Sequence, residues 1–324
     1  MKPALAIAAV SCMLALANGA QAADRAVAKF PSRPIHLIVP QAPGGSNDIM
    51  ARYIGGLLGE SLGQQVVIDN RPGAEGMIGT EMVARANPDG YTLLMASAAF
   101  TMNPAVRKLP YDPLKDFDWV AMLGNGAVAV VVGPSLPVNS VEELIAVGKS
   151  KPGYLTAGAA GGFNHFVAAL FKNLAGIDMV IALYRGGAPA LIDVMGGQIH
   201  IGVPTLVTAF PFIRAGKLKV LAAGGLKRTT VMPEVPSISE AGVAGYDAAI
   251  WWAFATTAGA PATALNRMNA EVAAILKRPE TAKRFAAEGG ETDIRTPAEI
   301  RKMIPLDLAK WAKVAREAGM EMQK

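Results

Sequence analysis

Short apolar runs alternate with amphipathic stretches along most of the chain. Ile35-His36-Leu37-Ile38-Val39 is rich in β-branched residues and stops at Pro40, the pattern of a buried strand. Met50, Tyr53, Ile54, Leu57 and Leu58 then recur at helical spacing and mark one apolar stripe. Residues 66–69 and 92–96 read as further strands, with a helix over 76–86 between them. Residues 128–132 are apolar without interruption, as expected of a strand buried on both faces of a parallel sheet. Ser140 and Glu143 form a capping box that opens a helix ending near Lys149. Four more strands are predicted at 155–159, 179–184, 199–203 and 218–222, with helices between the first three pairs. Such alternation predicts an α/β fold built on parallel sheets with right-handed crossovers.

The end of the chain is purely helical. Leu265, Met268, Val272, Ile275 and Leu276 share one face. Thr296-Pro297-Ala298-Glu299 supplies an N-cap, a first-turn proline and a reciprocal glutamate for the last helix. Pro305 lies inside that helix and predicts a kink.

The first residues change the picture, because they read as a signal peptide over 1–22. Lys2 gives a positive start, 4–17 are mostly apolar, and Ala20-Gln21-Ala22 offers small residues for cleavage after Ala22. The apolar run is too short for a retained membrane span, and no later run is long enough. A periplasmic location follows. Cleavage would remove Cys12, the single cysteine, leaving a chain suited to an oxidising compartment. Thiol catalysis and cysteine metal sites are thereby excluded. The remaining length, about 300 residues, predicts two domains. Lys and Arg number 31 against 26 Asp and Glu, a mildly basic balance with the signs interspersed. That pattern argues against a nucleic-acid partner and suits attraction of small anions.

In open α/β sheets ligands bind beyond the carboxyl ends of the strands, so the loops after the strands matter most. Three are rich in glycine and open a helix. The first holds Gly44, Gly45, Ser46 and Asp48; its glycines allow close backbone approach, and a helix N-terminus beyond them favours a carboxylate. The second is Tyr184-Arg185-Gly186-Gly187-Ala188-Pro189. The third contains Gly162, Phe163 and His165. Each alone reads equally as an ordinary turn, but together they fit a ligand cradle made mostly of main chain.

Catalytic signals are scarce. The chain lacks Gly-x-x-x-x-Gly-Lys-Ser/Thr, Gly-x-Gly-x-x-Gly with a following acid, and Gly-x-Ser-x-Gly. No cofactor is expected. His36 and His200 fall within strand patterns, and His165 has no nucleophile partner, so it reads as a hydrogen-bonding pocket residue. No His/Cys/Asp cluster has metal-ligand spacing. The sequence reads as a binder and not as an enzyme.

From Phe30 onward the chain resembles the tripartite tricarboxylate transporter solute-binding receptors, also called the Bug family. The resemblance rests on Phe30-Pro31-Ser32-Arg33-Pro34-Ile35, Pro43-Gly44-Gly45-Ser46-Asn47-Asp48 and Asn70-Arg71-Pro72-Gly73-Ala74-Glu75-Gly76-Met77-Ile78-Gly79. It continues, in the same order as in the family, through Pro88-Asp89-Gly90-Tyr91-Thr92-Leu93-Leu94, Leu109-Pro110-Tyr111-Asp112-Pro113 and Tyr184-Arg185-Gly186-Gly187-Ala188-Pro189-Ala190. Pro233-Glu234-Val235-Pro236 and Glu240-Ala241-Gly242 complete it.

This resemblance implies a Venus-flytrap fold of two α/β domains with a ligand cleft between them. Domain I would comprise 30–133 and 254–324, and domain II 134–253. It implies that Gly44, Gly45, Ser46 and Asp48 on one side, and Tyr184, Gly186, Gly187 and Ala188 on the other, hold a ligand carboxylate through backbone N–H groups and water. Its partners would be a large and a small integral membrane subunit, with the receptor itself a monomer. Phe100, Thr101, Gly162, Phe163, His165 and Thr205 would complete the pocket, with Trp251-Trp252 near the second crossing. Phenylalanine and Val203-Pro204-Thr205 at these places predict a pocket less polar than one for citrate, suited to a monocarboxylate with an apolar or aromatic body. Two other readings stay open at this point: a ligand sensor for a signalling partner, and a periplasmic enzyme using His165.

Overall fold

The computed structural model describes residues 30–320 except 161, 185, 288 and 318. The signal-peptide reading, Cys12 and Arg185 therefore lie outside the described residues. Within them, no helix is long and apolar enough to cross a membrane.

The first half builds one sheet. Strand β1 (Ile35–Val39), helix α1 (Ser46–Leu62), β2 (Val66–Asn70), α2 (Met77–Ala84) and β3 (Thr92–Ser97) follow in turn, and β1 pairs in parallel with both β2 and β3. The apolar stripe of α1 lies on this sheet, with Met50, Ile54 and Leu58 buried as its spacing predicts. A short helix α3 (Ala99–Met102) leads to the long strand β4 (Phe117–Ala127).

At Val128 the chain leaves this sheet and at once forms β5 (Ala129–Val132) in a second one. Helix α4 (Val141–Ser150), β6 (Leu155–Ala160), α5 (Phe163–Ala175), β7 (Met179–Tyr184), α6 (Gly187–Met195), β8 (Ile201–Gly202), α7 (Leu206–Arg214) and β9 (Lys219–Ala223) complete the second unit. The chain then returns as β10 (Ala249–Thr257), which runs antiparallel between β3 and β4. Helices α8 (Ala262–Leu276) and α9 (Pro279–Ala287), strand β11 (Gly290–Thr292) and helix α10 (Pro297–Glu317) close it. The sheet orders are β11-β4-β10-β3-β1-β2 and β7-β6-β8-β5-β9. The result is the expected α/β architecture of two mixed sheets clothed by helices.

Several elements differ from the sequence reading. The apolar run at 128–132 is fully buried but antiparallel to both β8 and β9. Its direction is inherited from β4, which runs into it across one residue, so no crossover helix could turn it parallel. The chain changes sheet at Val128 and again between Ala223 and Ala249, so β5 and the start of β10 fall across the boundaries expected at 133 and 253. The strand predicted over 199–203 shrinks to Ile201–Gly202. Helix α10 runs without interruption through Pro305.

Helix α10 touches both units. Trp311, buried at its middle, meets Phe166 of α5 edge-to-face with centroids 6.0 Å apart. Asn173 of α5 donates from Nδ2 to the Glu317 carbonyl at 3.1 Å. Trp251 Nε1 and Thr101 Oγ1 both donate to Asp307 Oδ2, at 3.0 Å and 2.5 Å.

Candidate functional site: a cleft between two sheet edges

Parallel pairing fixes which loops share an edge. Because β1, β2 and β3 run the same way, the loops after them emerge together: residues 40–45, 71–76 and Ala98. In the second sheet β6, β7 and β8 run the same way, so Gly162, Gly186 and Thr205 also share an edge. The two edges face each other. Glu75 Oε2 lies 3.8 Å, and Ala99 Cβ 3.9 Å, from where a Cβ on Gly162 would stand.

The first loop is held from behind. Asp48 spends both carboxylate oxygens inside the protein: Oδ2 accepts from the Gly44 N–H and from Arg52 Nε, each at 3.0 Å, and Oδ1 from Asn70 Nδ2 at 3.0 Å. Burial alone would raise this carboxyl, but these donors and the Arg52 charge hold it below its ordinary value. Asp48 thus shapes the loop in which Gly44 takes a left-handed φ of 83°. Asn47, which the sequence reading did not single out, is 3% exposed. It donates to Gln41 Oε1 and to Ser97 Oγ, and its Oδ1 accepts from Trp252 Nε1 at 2.9 Å. One amide therefore ties β1, β3 and β10 together at the lip of the cleft.

On the facing edge, Asn164 Nδ2 donates to the Val203 carbonyl at 3.0 Å, joining the loops after β6 and β8. Thr205 bridges in strand fashion to Val128, the residue at which the chain first crosses, and shares a 3.0 Å hydroxyl contact with Thr208. A Cβ on Gly187 would stand 3.1 Å from Thr208 Cγ2, so the loops after β7 and β8 are also adjacent. Phe163 is 5% exposed at the start of α5. His165 is half-buried; burial lowers its pKa, and the Glu75 charge only partly offsets this.

Four helices open onto these edges, α1, α5, α6 and α7, and none has a side-chain cap on its first N–H groups. Three of them start from glycine: Gly45, Gly162 and Gly186. Uncapped first-turn N–H groups carry partial positive charge and suit an anion.

Some predicted residues turn out to have other occupations. Phe100 is 4% exposed and packs against Tyr111, Phe117 and Trp119, so its ring belongs to the core of the first unit. Thr101 is wholly buried and its hydroxyl serves Asp307 and the Ala98 carbonyl. The Tyr184 hydroxyl donates to Asp193 at 2.6 Å, and that bond, with some burial, pushes its pKa up to about 12. His200 accepts the Thr156 N–H at Nδ1, a structural role. Among the described residues no group of acidic, histidine or cysteine side chains could hold a metal ion.

A family profile described as the tripartite tricarboxylate transporter family receptor matches residues 50–320. Protein BugT of Bordetella pertussis is 34% identical over 313 residues, covering 95% of this chain and 96% of that protein. Rpa4515 of R. palustris, solved with adipate, superposes with a TM-score of 0.86 at 32% identity, covering 90% of this chain and 99% of that one. MatC of Rhodopseudomonas palustris, solved with bound malate, gives 0.80 at 29% identity over 88% of this chain and 99% of that one.

Proposed function

The chain belongs to the tripartite tricarboxylate transporter family of periplasmic solute-binding receptors, and on that premise we propose that it captures a small carboxylate between its two lobes for delivery to a membrane transporter. The observation that carries this reading is the meeting of two glycine-rich, uncapped edges, with Glu75 of one against Gly162 of the other. A carboxylate there would receive main-chain N–H bonds from Gly45 and Ser46 on one side and from Gly186, Gly187 and Ala188 on the other. Asp48 and Asn47 act on the ligand only through the loop they shape. Adipate and malate in the related receptors support a carboxylate ligand.

The finer reading is a monocarboxylate with an apolar body, supported by Phe163 and by Val203-Pro204 in the segments after β6 and β8. The partners are the large and small membrane subunits of a secondary transporter. The receptor meets them as a periplasmic monomer after cleavage at Ala22. The lobes are the units around the two sheets, hinged at Val128 and in the segment before Ala249.

A thermal-shift series of the purified protein with small carboxylic acids and their uncharged amides tests the proposal. A ligand specific to the folded state at a hundred times its Kd adds about 2.7 kcal/mol of stability. An acid should raise the melting temperature where its amide does not. Equal shifts for acid and amide would sink the carboxylate cradle.

A further inference from the structure

Glu75 is the side chain in the cleft whose backbone conformation most resists its presence. Ala74 and Glu75 take left-handed backbone, with φ of 45° and 56°, between Gly73 and Gly76. An L residue enters that region at a cost that glycine does not bear, and such strain persists only where the surrounding structure over-determines the position. The residue is held at its side chain and at its main chain. Arg107 Nη2 donates to Glu75 Oε1 at 3.0 Å, and Asn103 Nδ2 donates to the Glu75 carbonyl at 3.1 Å. The second oxygen, Oε2, is the one that stands 3.8 Å from the Cβ position of Gly162 on the facing edge. The same charge is felt at His165, one helical turn beyond Gly162.

The ion pair is partly sheltered: the side chains of Arg107 and Glu75 are 19% and 23% exposed. Beside it, Arg107 Nε and Asn103 Oδ1 are buried with no hydrogen-bond partner, so the group retains unused polar capacity. Arg107 thus already pairs through Nη2 with the protein's own carboxylate, and Nε is its unused donor.

We propose that Glu75 is a specificity-determining residue, its carboxylate occupying the place of a ligand's second carboxylate, so that the cleft admits solutes with one carboxylate and rejects those with two. The inference rests on the carboxylate-receptor reading above and names the substrate class within it. A second carboxylate would meet Glu75 Oε2 at close range, with Arg107 already paired to Oε1, and like charges sharing a partly desolvated site oppose each other. A hydroxyl or amide N–H at the far end of the solute would instead find an acceptor.

The test is calorimetry on the purified protein with butanoate through octanoate and the α,ω-dicarboxylates of matching length. The unmodified protein should favour the monocarboxylate of each pair by about tenfold or more. Glu75→Gln, which keeps the shape and removes the charge, should shift that ratio toward the dicarboxylate by about tenfold, a change of about 1.4 kcal/mol. Glu75→Gly, which also relieves the left-handed backbone, should shift it the same way and guards against a Gln-specific distortion. Adding Arg107→Gln to Glu75→Gln should abolish the gain. Monocarboxylate binding with a ratio untouched by either Glu75 variant would overturn the inference while leaving the receptor reading intact. Tighter dicarboxylate binding by the unmodified protein would overturn it too. If no acid bound at all, the carboxylate reading would fail and this inference with it.

Discussion

Gly186 sits in extended backbone with φ 161°, and a Cβ there would meet only Pro189 Cδ, at 3.7 Å. A branched side chain is therefore compatible with the fold but stands where the proposed cradle needs main chain to approach the ligand. Gly186→Val should leave the unliganded melting temperature within about 2 °C, since surface changes stay within ~0.5 kcal/mol, while weakening binding by about a hundredfold. Calorimetry beside a melt reads both, and normal binding would refute a main-chain cradle. Asp48 makes a different prediction because its pKa is depressed. Its stabilisation is present above the unfolded carboxyl value of about 3.9 and is lost as pH falls through the lower folded value. Asp48→Asn should thus melt below the unmodified protein at pH 7, with the gap narrowing as the pH is taken under that value. The glycines and Asp48 were legible in the sequence because their signal is local, a strand followed by paired glycines and a helix. Asn47 and Glu75 were not. The first works through Ser97 and Trp252, 50 and 205 positions away, and the second through Arg107 and the facing edge. The neighbours of Phe100 were illegible for the same reason, since only packing brings Tyr111, Phe117 and Trp119 against its ring.

Helix starts divide into two kinds. Ser140 Oγ accepts the Glu143 N–H at 3.2 Å and opens α4, while Thr296 and Glu299 exchange bonds at 3.3 Å and 2.8 Å before α10. The helices that open onto the cleft have no such caps. Ser140→Ala should cost about 1 kcal/mol in a denaturant titration and leave ligand affinity unchanged, since α4 lies off both edges. The capping boxes were readable because they span four residues. β4 and β10 were not, for their pattern is masked. Gly124 and Gly126 interrupt β4 because Glu291, Phe285 and Trp252 fill the space a side chain would need. In β10, buried residues run consecutively from Ile250 to Thr257, giving no alternation to detect.

At the scale of the whole molecule, capture is a change in population: a solute that bridges both edges favours the arrangement in which they meet. The radius of gyration from solution scattering should fall when a carboxylate saturates the protein, and an unchanged profile would argue against hinged lobes. Helix α10 enters this balance from outside the glycine-rich loops. Its contacts to α5, Trp311 with Phe166 and Glu317 with Asn173, join one lobe to the other. Asn173→Ala removes one such bond, worth about 1 kcal/mol, and should weaken solute binding by up to about fivefold without altering the ranking of solutes. A receptor built this way has two separate dials. On the proposed reading, residues at the lip would decide which molecule is kept, whereas a helix outside the glycine-rich loops would set how firmly it is kept. Drift along α10 can then retune the working concentration of the receptor while its choice of cargo stays the same.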